Sequence, residues 1–223
     1  MNLVRLRPVI FVEHDTVLAE RHPAADEDVH FARWLVEAVL EDLTQPGDRV
    51  LDPFAGFGTT LQVAESMGRH AVGVELLPER CAAATAVAPE STVIQGDARE
   101  LAQLVSGPFD LILTSPPYMA SDDGSEDPLA GYTGASSYEA YLADLRLIFG
   151  QCVELLAPSG HLVVNVANID TGNHFTPLAW DIGRILGELG RLTQDVFVCW
   201  DRSWHDLAGD YVLVVRPRCN SQR

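Results

Sequence analysis

Arg49-Val50-Leu51-Asp52-Pro53-Phe54-Ala55-Gly56-Phe57-Gly58-Thr59-Thr60 decides the fold. A short apolar run ends in an acid, a glycine-punctuated turn follows, and the chain passes directly into a helical stretch, 59–67. A buried parallel strand that delivers its C-terminal end to a ligand has this form, with glycines where backbone must come close to what it binds. The turn is not the dinucleotide fingerprint G-x-G-x-x-G, because an ordinary helix residue stands in place of the third glycine.

Working outward, strands are expected at 49–53, 70–75, 91–95, 109–115, 161–167, 193–200 and 210–216, with a further possible strand at 9–12. Helices are expected at 29–43, 59–67, 78–87, near 98–105, and at 138–156 and 177–189. In the first of these Phe31, Trp34, Leu35, Ala38, Val39 and Leu43 recur at helical spacing, and Gln45-Pro46-Gly47-Asp48 stops it. Strands alternating with helices predict an α/β fold with a mostly parallel seven-stranded sheet and helices on both faces. The last two strands, joined without a helix, predict a C-terminal antiparallel hairpin. No repeat or linker divides residues 1–223, so one domain is expected, with 1–48 as a segment preceding the glycine turn.

Net charge is −17, and all 15 basic residues are Arg. Such acidity weakens a non-specific grip on phosphates, which depends on cationic side chains releasing counterions. No apolar run approaches the roughly 18 residues of a membrane span and no signal-like start is seen, so a cytoplasmic protein without membrane contact is expected. The four cysteines have no paired spacing, which predicts reduced thiols and no metal site.

Three strand ends carry the ligand chemistry: the glycine turn, Gly73-Val74-Glu75, and Gln95-Gly96-Asp97-Ala98. An acid about 20 residues after a glycine turn is placed to accept ribose hydroxyls. In this order and spacing the three resemble the S-adenosylmethionine site of class I methyltransferases, whose fold is Rossmann-like. The resemblance implies that Asp52, Pro53, Phe54, Ala55, Gly56, Gly58 and Thr59 surround the methionine part of the cofactor. It implies that Glu75, followed by Leu76, binds ribose, and that Asp97 with Ala98 borders adenine.

The second chemical stretch, Ser115-Pro116-Pro117-Tyr118, follows the apolar run Phe109–Thr114. Two prolines remove two N–H donors and leave carbonyls aimed outward. An aromatic amine attacks poorly because its lone pair is delocalised into the ring. The Ser115 hydroxyl and Pro116 carbonyl can orient the NH₂ and favour a pyramidal nitrogen, while Tyr118 offers a flat face for an extruded base. The tetrapeptide resembles the signature of DNA amino-methyltransferases: Ser, Asn or Asp, then Pro-Pro and an aromatic. A leading Ser is commonest in cytosine-N4 enzymes, Asp in adenine-N6 enzymes, and Asn is shared with glutamine methylation.

The resemblance thus implies methylation of a DNA base, cytosine N4 first and adenine N6 or an RNA base as alternatives. A protein glutamine acceptor and a non-catalytic cofactor-binding subunit are more distant readings. His22-Pro23 resembles the family's segment ahead of the glycine turn, but Asp26-Glu27-Asp28 stand where a Lys-Pro pair is expected. No large target-recognition segment is visible. A separate specificity subunit or a homodimer is therefore expected, or a short recognition surface using Arg202, Trp204 and His205. Loop 119–137, with the acidic run Asp122 to Asp127, reads as a lid or a solvated loop. Asp210–Arg216 reads as a structural terminal strand.

Overall fold

The computed structural model describes residues 6–20, 31–121, 126–134, 136–202 and 207–218. His22-Pro23, Asp26–Asp28, Asp122–Ser125, Trp204 and His205 lie outside these, and so do the readings placed on them.

In chain order the strands are β1 (Val9–Val12), β2 (Arg49–Asp52), β3 (His70–Glu75), β4 (Thr92–Gln95), β5 (Phe109–Thr114), β6 (Leu156–Asp170), β7 (Phe175–Thr176), β8 (Arg191–Trp200) and β9 (Leu207–Arg216). The α-helices are α1 (His14–Ala19), α2 (Arg33–Leu43), α3 (Thr59–Ser66), α4 (Pro78–Val87), α5 (Leu101–Leu104), α6 (Tyr138–Leu155) and α7 (Leu178–Leu189). Short 3₁₀ turns fill Ala98–Glu100 and Pro128–Ala130.

The strands form one sheet in the order β1-β8-β9-β6-β5-β2-β3-β4, with β7 paired to β6 alone. The block β6-β5-β2-β3-β4 is parallel, β9 runs antiparallel between β6 and β8, and β1 lies parallel to β8. The mostly parallel sheet and its C-terminal hairpin are as expected, but among the described residues the strands number nine rather than seven. One of the two further strands, β1, is the possible strand at 9–12, and the other, β7, is two residues long, too short for a sequence pattern to register. β1 joins as an outer strand, and β7 folds back on a β6 far longer than the expected 161–167.

Alternate side chains along the central strands enter opposite cores, as strand geometry requires. Leu111, Leu113, Val163, Val212 and Val214 face α2 and α3 on one side, with Val17 of α1. Ile112, Leu162, Val164, Leu213 and Val215 face α6 and α7 on the other. α1 was not expected; it forms in a stretch that reads as irregular, anchored by the fully buried Val17. α2 begins at Arg33, so Phe31 lies ahead of the helix rather than within it. The last turn of α2 is closed by Arg69, whose guanidinium donates to the carbonyls of Leu40 and Thr44.

Gly58 precedes α3 at φ +90°, and a Cβ there would come within 2.8 Å of the Ala84 Cα on α4. Gly47 has a similar φ of +91° but open space around it. Gly47→Ala carries backbone strain alone, whereas Gly58→Ala carries strain and a backbone clash. Chemical denaturation should therefore show Gly58→Ala losing more stability than Gly47→Ala, the former by upward of ~1–3 kcal/mol. Equal losses would place the function of Gly58 in its conformation alone.

Candidate active site

The C-terminal ends of β2, β3, β4 and β5 open on a cleft of about 450 Å³, within the size range of ligand pockets. At the end of β2, Asp52 is buried, and its Oδ1 accepts from the Phe54 N–H at 3.0 Å and the Thr114 hydroxyl at 2.7 Å. The first bond is an Asx turn that starts the glycine loop; the second ties β2 to the end of β5. Burial raises the Asp52 pKa to about 6, against the opposing pull of the Thr114, Thr60 and Phe54 hydrogen bonds.

Glu75 ends β3 and is also buried. Its Oε2 accepts from the Gly56 N–H at 2.8 Å and its Oε1 from the Leu77 N–H at 2.9 Å. Each carboxylate oxygen has a second lone pair, so the group that shapes the glycine turn can still accept from a diol. Gly56, at φ +53°, has no other atom closer than 3.9 Å to where a Cβ would stand, so its backbone is open to a ligand.

Of the expected cofactor residues, Asp52, Pro53, Phe54, Ala55, Gly56, Thr59, Glu75, Leu76, Asp97 and Ala98 line the cleft. Gly58 does not; it is the packing point against α4 described above. Asp97 is engaged by Arg99, whose Nη2 donates to Oδ2 at 2.6 Å and whose Nε reaches both carboxylate oxygens at 3.0 Å. Burial tends to raise the Asp97 pKa, but the Arg99 hydrogen bonds and charge outweigh it and hold the carboxyl below its ordinary value. Part of the 119–137 loop reaches the cleft: Pro128, Leu129, Gly131 and Tyr132 line it. Gly131 lies against Leu76 and Leu77, so this segment covers the side of the cleft near the end of β3.

Ser115, Pro116, Pro117 and Tyr118 line the same cleft beyond β5. The Tyr141 hydroxyl of α6 donates to the Pro117 carbonyl at 2.8 Å. The Tyr118 hydroxyl accepts from the Ala167 N–H of β6 at 3.2 Å and lies 3.5 Å from the Ser115 Oγ. The tetrapeptide is therefore held from two sides, by a helix and by a strand. Burial, reinforced by the nearby Asp210 charge, pushes the Tyr118 phenol well above its ordinary pKa, so it stays neutral.

Sequence reasoning missed four residues of this end. Thr114 locks Asp52; Asn165, Trp200 and Asp210 line the cleft. The available signal was a single polar residue inside an apolar run, Asn165 in Leu162–Ala167 and Asp210 ahead of Tyr211–Val215. Among the described residues no group of His, Cys, Asp and Glu could hold a metal ion, and no helix is long and apolar enough to cross a membrane.

S-adenosylmethionine fits this cleft, since an open backbone cradle at Gly56 stands beside a carboxylate with acceptor capacity to spare. The fold is that of class I methyltransferases. The N-methyltransferase NodS from Bradyrhizobium japonicum WM9 shares it with a TM-score of 0.58 at 16% identity, over 83% of this chain and 93% of that one. Fold and cleft together are similar to those of S-adenosylmethionine-dependent methyltransferases.

The resemblance to the DNA amino-methyltransferases is borne out by a family model described as DNA methylase, which matches residues 16–86. The type II methyltransferase M.BglII of Bacillus subtilis is 36% identical over 62 residues, 26% of this chain and 17% of that protein. The release factor glutamine methyltransferase of Rhodospirillum rubrum is 33% identical over 147 residues, 58% of this chain and 43% of that protein. The chain thus spans less than half the length of both curated relatives.

Two outcomes test the cofactor end. Glu75→Ala should weaken S-adenosylmethionine binding by roughly 10- to 100-fold in calorimetry, the worth of one or two charged hydrogen bonds; an unchanged dissociation constant would refute the ribose role. Asp52 has a folded pKa above its unfolded one, so its carboxyl costs no stability while both states are protonated. Stability then drains away as pH rises from about 4 through 6, when a buried carboxyl must ionise. Over that range unfolding measurements should favour Asp52→Asn relative to wild type by a further ~3 kcal/mol. Parallel pH curves would show that Asp52 ionises normally.

Proposed function

We propose that the chain methylates the exocyclic amino group of a nucleic-acid base, with cytosine N4 in DNA as the acceptor. The observation that carries this reading is Ser115–Tyr118 opening on the same cleft as the glycine turn and Glu75. The leading Ser and the DNA methylase family match support the choice of acceptor.

Bound S-adenosylmethionine supplies an electrophilic methyl group on sulfur. The chain's part is positioning. The Ser115 hydroxyl and Pro116 carbonyl accept the two amino hydrogens and turn the nitrogen lone pair toward the methyl group. Pro117 is fixed by Tyr141, so these acceptors keep their place without reorganising as charge develops on nitrogen. Tyr118, with its hydroxyl held by β6, gives the extruded base a ring to stack on.

Charge argues for help in target binding. A chain of net charge −17 and no Lys has little to offer a phosphate backbone, which supports a separate specificity subunit. One observation favours another acceptor: the match to a glutamine methyltransferase is the longer of the two reported. An amide nitrogen, like an aromatic amine, has a delocalised lone pair and needs the same two acceptors.

Nucleoside and peptide mass spectrometry after incubation with labelled S-adenosylmethionine and separate DNA, RNA and protein pools tests the reading. The expected product is 4-methylcytosine in DNA, falling roughly 100-fold in Ser115→Ala with cofactor affinity unchanged. Label in adenine or RNA moves the acceptor, and label on protein glutamine selects the second reading. No label in any pool favours a cofactor-binding subunit.

A further inference from the structure

The acceptor end of the cleft holds a buried carboxyl that positioning by Ser115 and Pro116 leaves unused. Asp210 is 5% exposed, and its Oδ1 has no hydrogen-bond partner. The Asn165 Oδ1, on the neighbouring strand β6, is buried and unpartnered as well. Both side chains line the cleft with Ser115 and Tyr118. Register explains the meeting: Asp210 lies opposite Ala167, whose N–H holds the Tyr118 hydroxyl at 3.2 Å.

A buried carboxylate oxygen without a donor is costly, and a purely structural aspartate would have it satisfied. Here the aspartate stands in the cleft wall. The reaction needs such a group. Methyl transfer to a neutral amine leaves a cationic nitrogen, and a proton must leave it. A serine hydroxyl is too weak a base for that task, and Tyr118 is kept neutral.

We propose that Asp210 is the proton acceptor of the methyl transfer, an assignment that rests on the amino-group reading above. The N–C bond forms as the C–S bond breaks, with its electron pair staying on sulfur, which becomes a neutral thioether. The methylated nitrogen carries the positive charge until one of its protons passes to the Asp210 carboxylate. The carboxylate becomes a neutral carboxylic acid and the amine a neutral methylamine. The environment suits this exchange. Burial raises the Asp210 pKa to about 7, opposed by hydrogen bonds from Trp200 and the Tyr211 backbone. A base with a pKa near the working pH is the most effective one.

Few charges compete. Besides Asp210, the ionisable side chains lining the cleft are Asp52, Glu75, Asp97, Arg80, Tyr118 and Tyr132 among the described residues. On the elements packed against β9, the charged groups are His161 and Asp170 of β6, Arg191 and Asp195 of β8, and Asp181, Arg184 and Glu188 of α7. None of these appears among the causes that shift Asp210.

The test is single-turnover methylation of the DNA, RNA and protein pools by the intact chain as a function of pH, in wild type, Asp210→Asn and Asp210→Glu. Wild-type rate should rise with pH to a plateau through a midpoint near 7. Asp210→Asn should lose about 100-fold or more in rate and lose the rising limb, while S-adenosylmethionine affinity stays within about twofold. Asp210→Glu should keep the limb with a displaced midpoint, which decides the matter even if the Asn variant does not fold. A slow Asn variant that keeps the wild-type limb, an Asn variant within about threefold of wild type, or a Glu variant with an undisplaced midpoint would overturn the assignment alone. A folded wild-type chain that labels no pool would overturn the amino-group reading and this assignment with it.

Discussion

The hydrogen bond from the Thr114 hydroxyl to the Asp52 carboxylate joins the two halves of the candidate active site. Asp52 ends the strand that starts the glycine turn, and Thr114 immediately precedes Ser115. Methyl transfer requires sulfur, carbon and nitrogen in line, so the distance between the two strand ends must be fixed to a fraction of an ångström. β2 and β5 are adjacent strands paired through Val50 with Leu111 and Leu51 with Ile112, which sets their spacing only as far as the ladder runs. Beyond it, the Asp52–Thr114 bond is what continues the register. Both groups are buried, so water does not compete for the bond, and the raised Asp52 pKa is the electrostatic cost of placing it there.

From this pair the site divides by the kind of contact that builds it. The cofactor end is made of βα turns, each stabilised over a few residues: Asp52 to Phe54, Glu75 to Leu77, Asp97 to Arg99. Three hydrogen bonds cross between turns: Gly56 N–H to the Glu75 carboxylate, Ala55 N–H to the Val74 carbonyl, and Gly96 N–H to the Glu75 carbonyl. The acceptor end is made of long-range contacts. Pro117 is held by α6, Tyr118 by β6, and the buried Asp210 carboxyl comes from β9. A local turn tolerates change elsewhere in the chain, whereas the acceptor end depends on three separate elements packing correctly.

The same division explains what the sequence could tell. Glu75 and the Ser115–Tyr118 stretch were legible because each sits at the end of an apolar run, in a spacing that chemistry explains. Asp210 was read as structural because its meaning depends on lying opposite Ala167, a register that no local pattern encodes. Gly58 illustrates the converse error: it sits inside the ligand motif, but its reason is the close passage of Ala84 on the next helix. α1 and the strands β1 and β7 escaped or were left in doubt because pieces of two to six residues carry no measurable period. For Asp97 the residue was legible and its partner was not, since Arg99 stands two positions later and reads as an ordinary helix residue.

The position of β9 in the sheet has a consequence for how the molecule is assembled. Although it comes after every other strand in the chain, it lies between β6 and β8, and the pair β1–β8 reaches the parallel block only through it. As the polypeptide is synthesised, the strands from β2 to β5 have all their sheet neighbours before β9 exists, while β6 and β8 must each wait beside a gap. The strand that fills the gap also brings Asp210 to the cleft. A nascent chain can thus build a cofactor cradle well before it owns the carboxyl that faces the acceptor, so closing the sheet and completing the chemistry are one folding event.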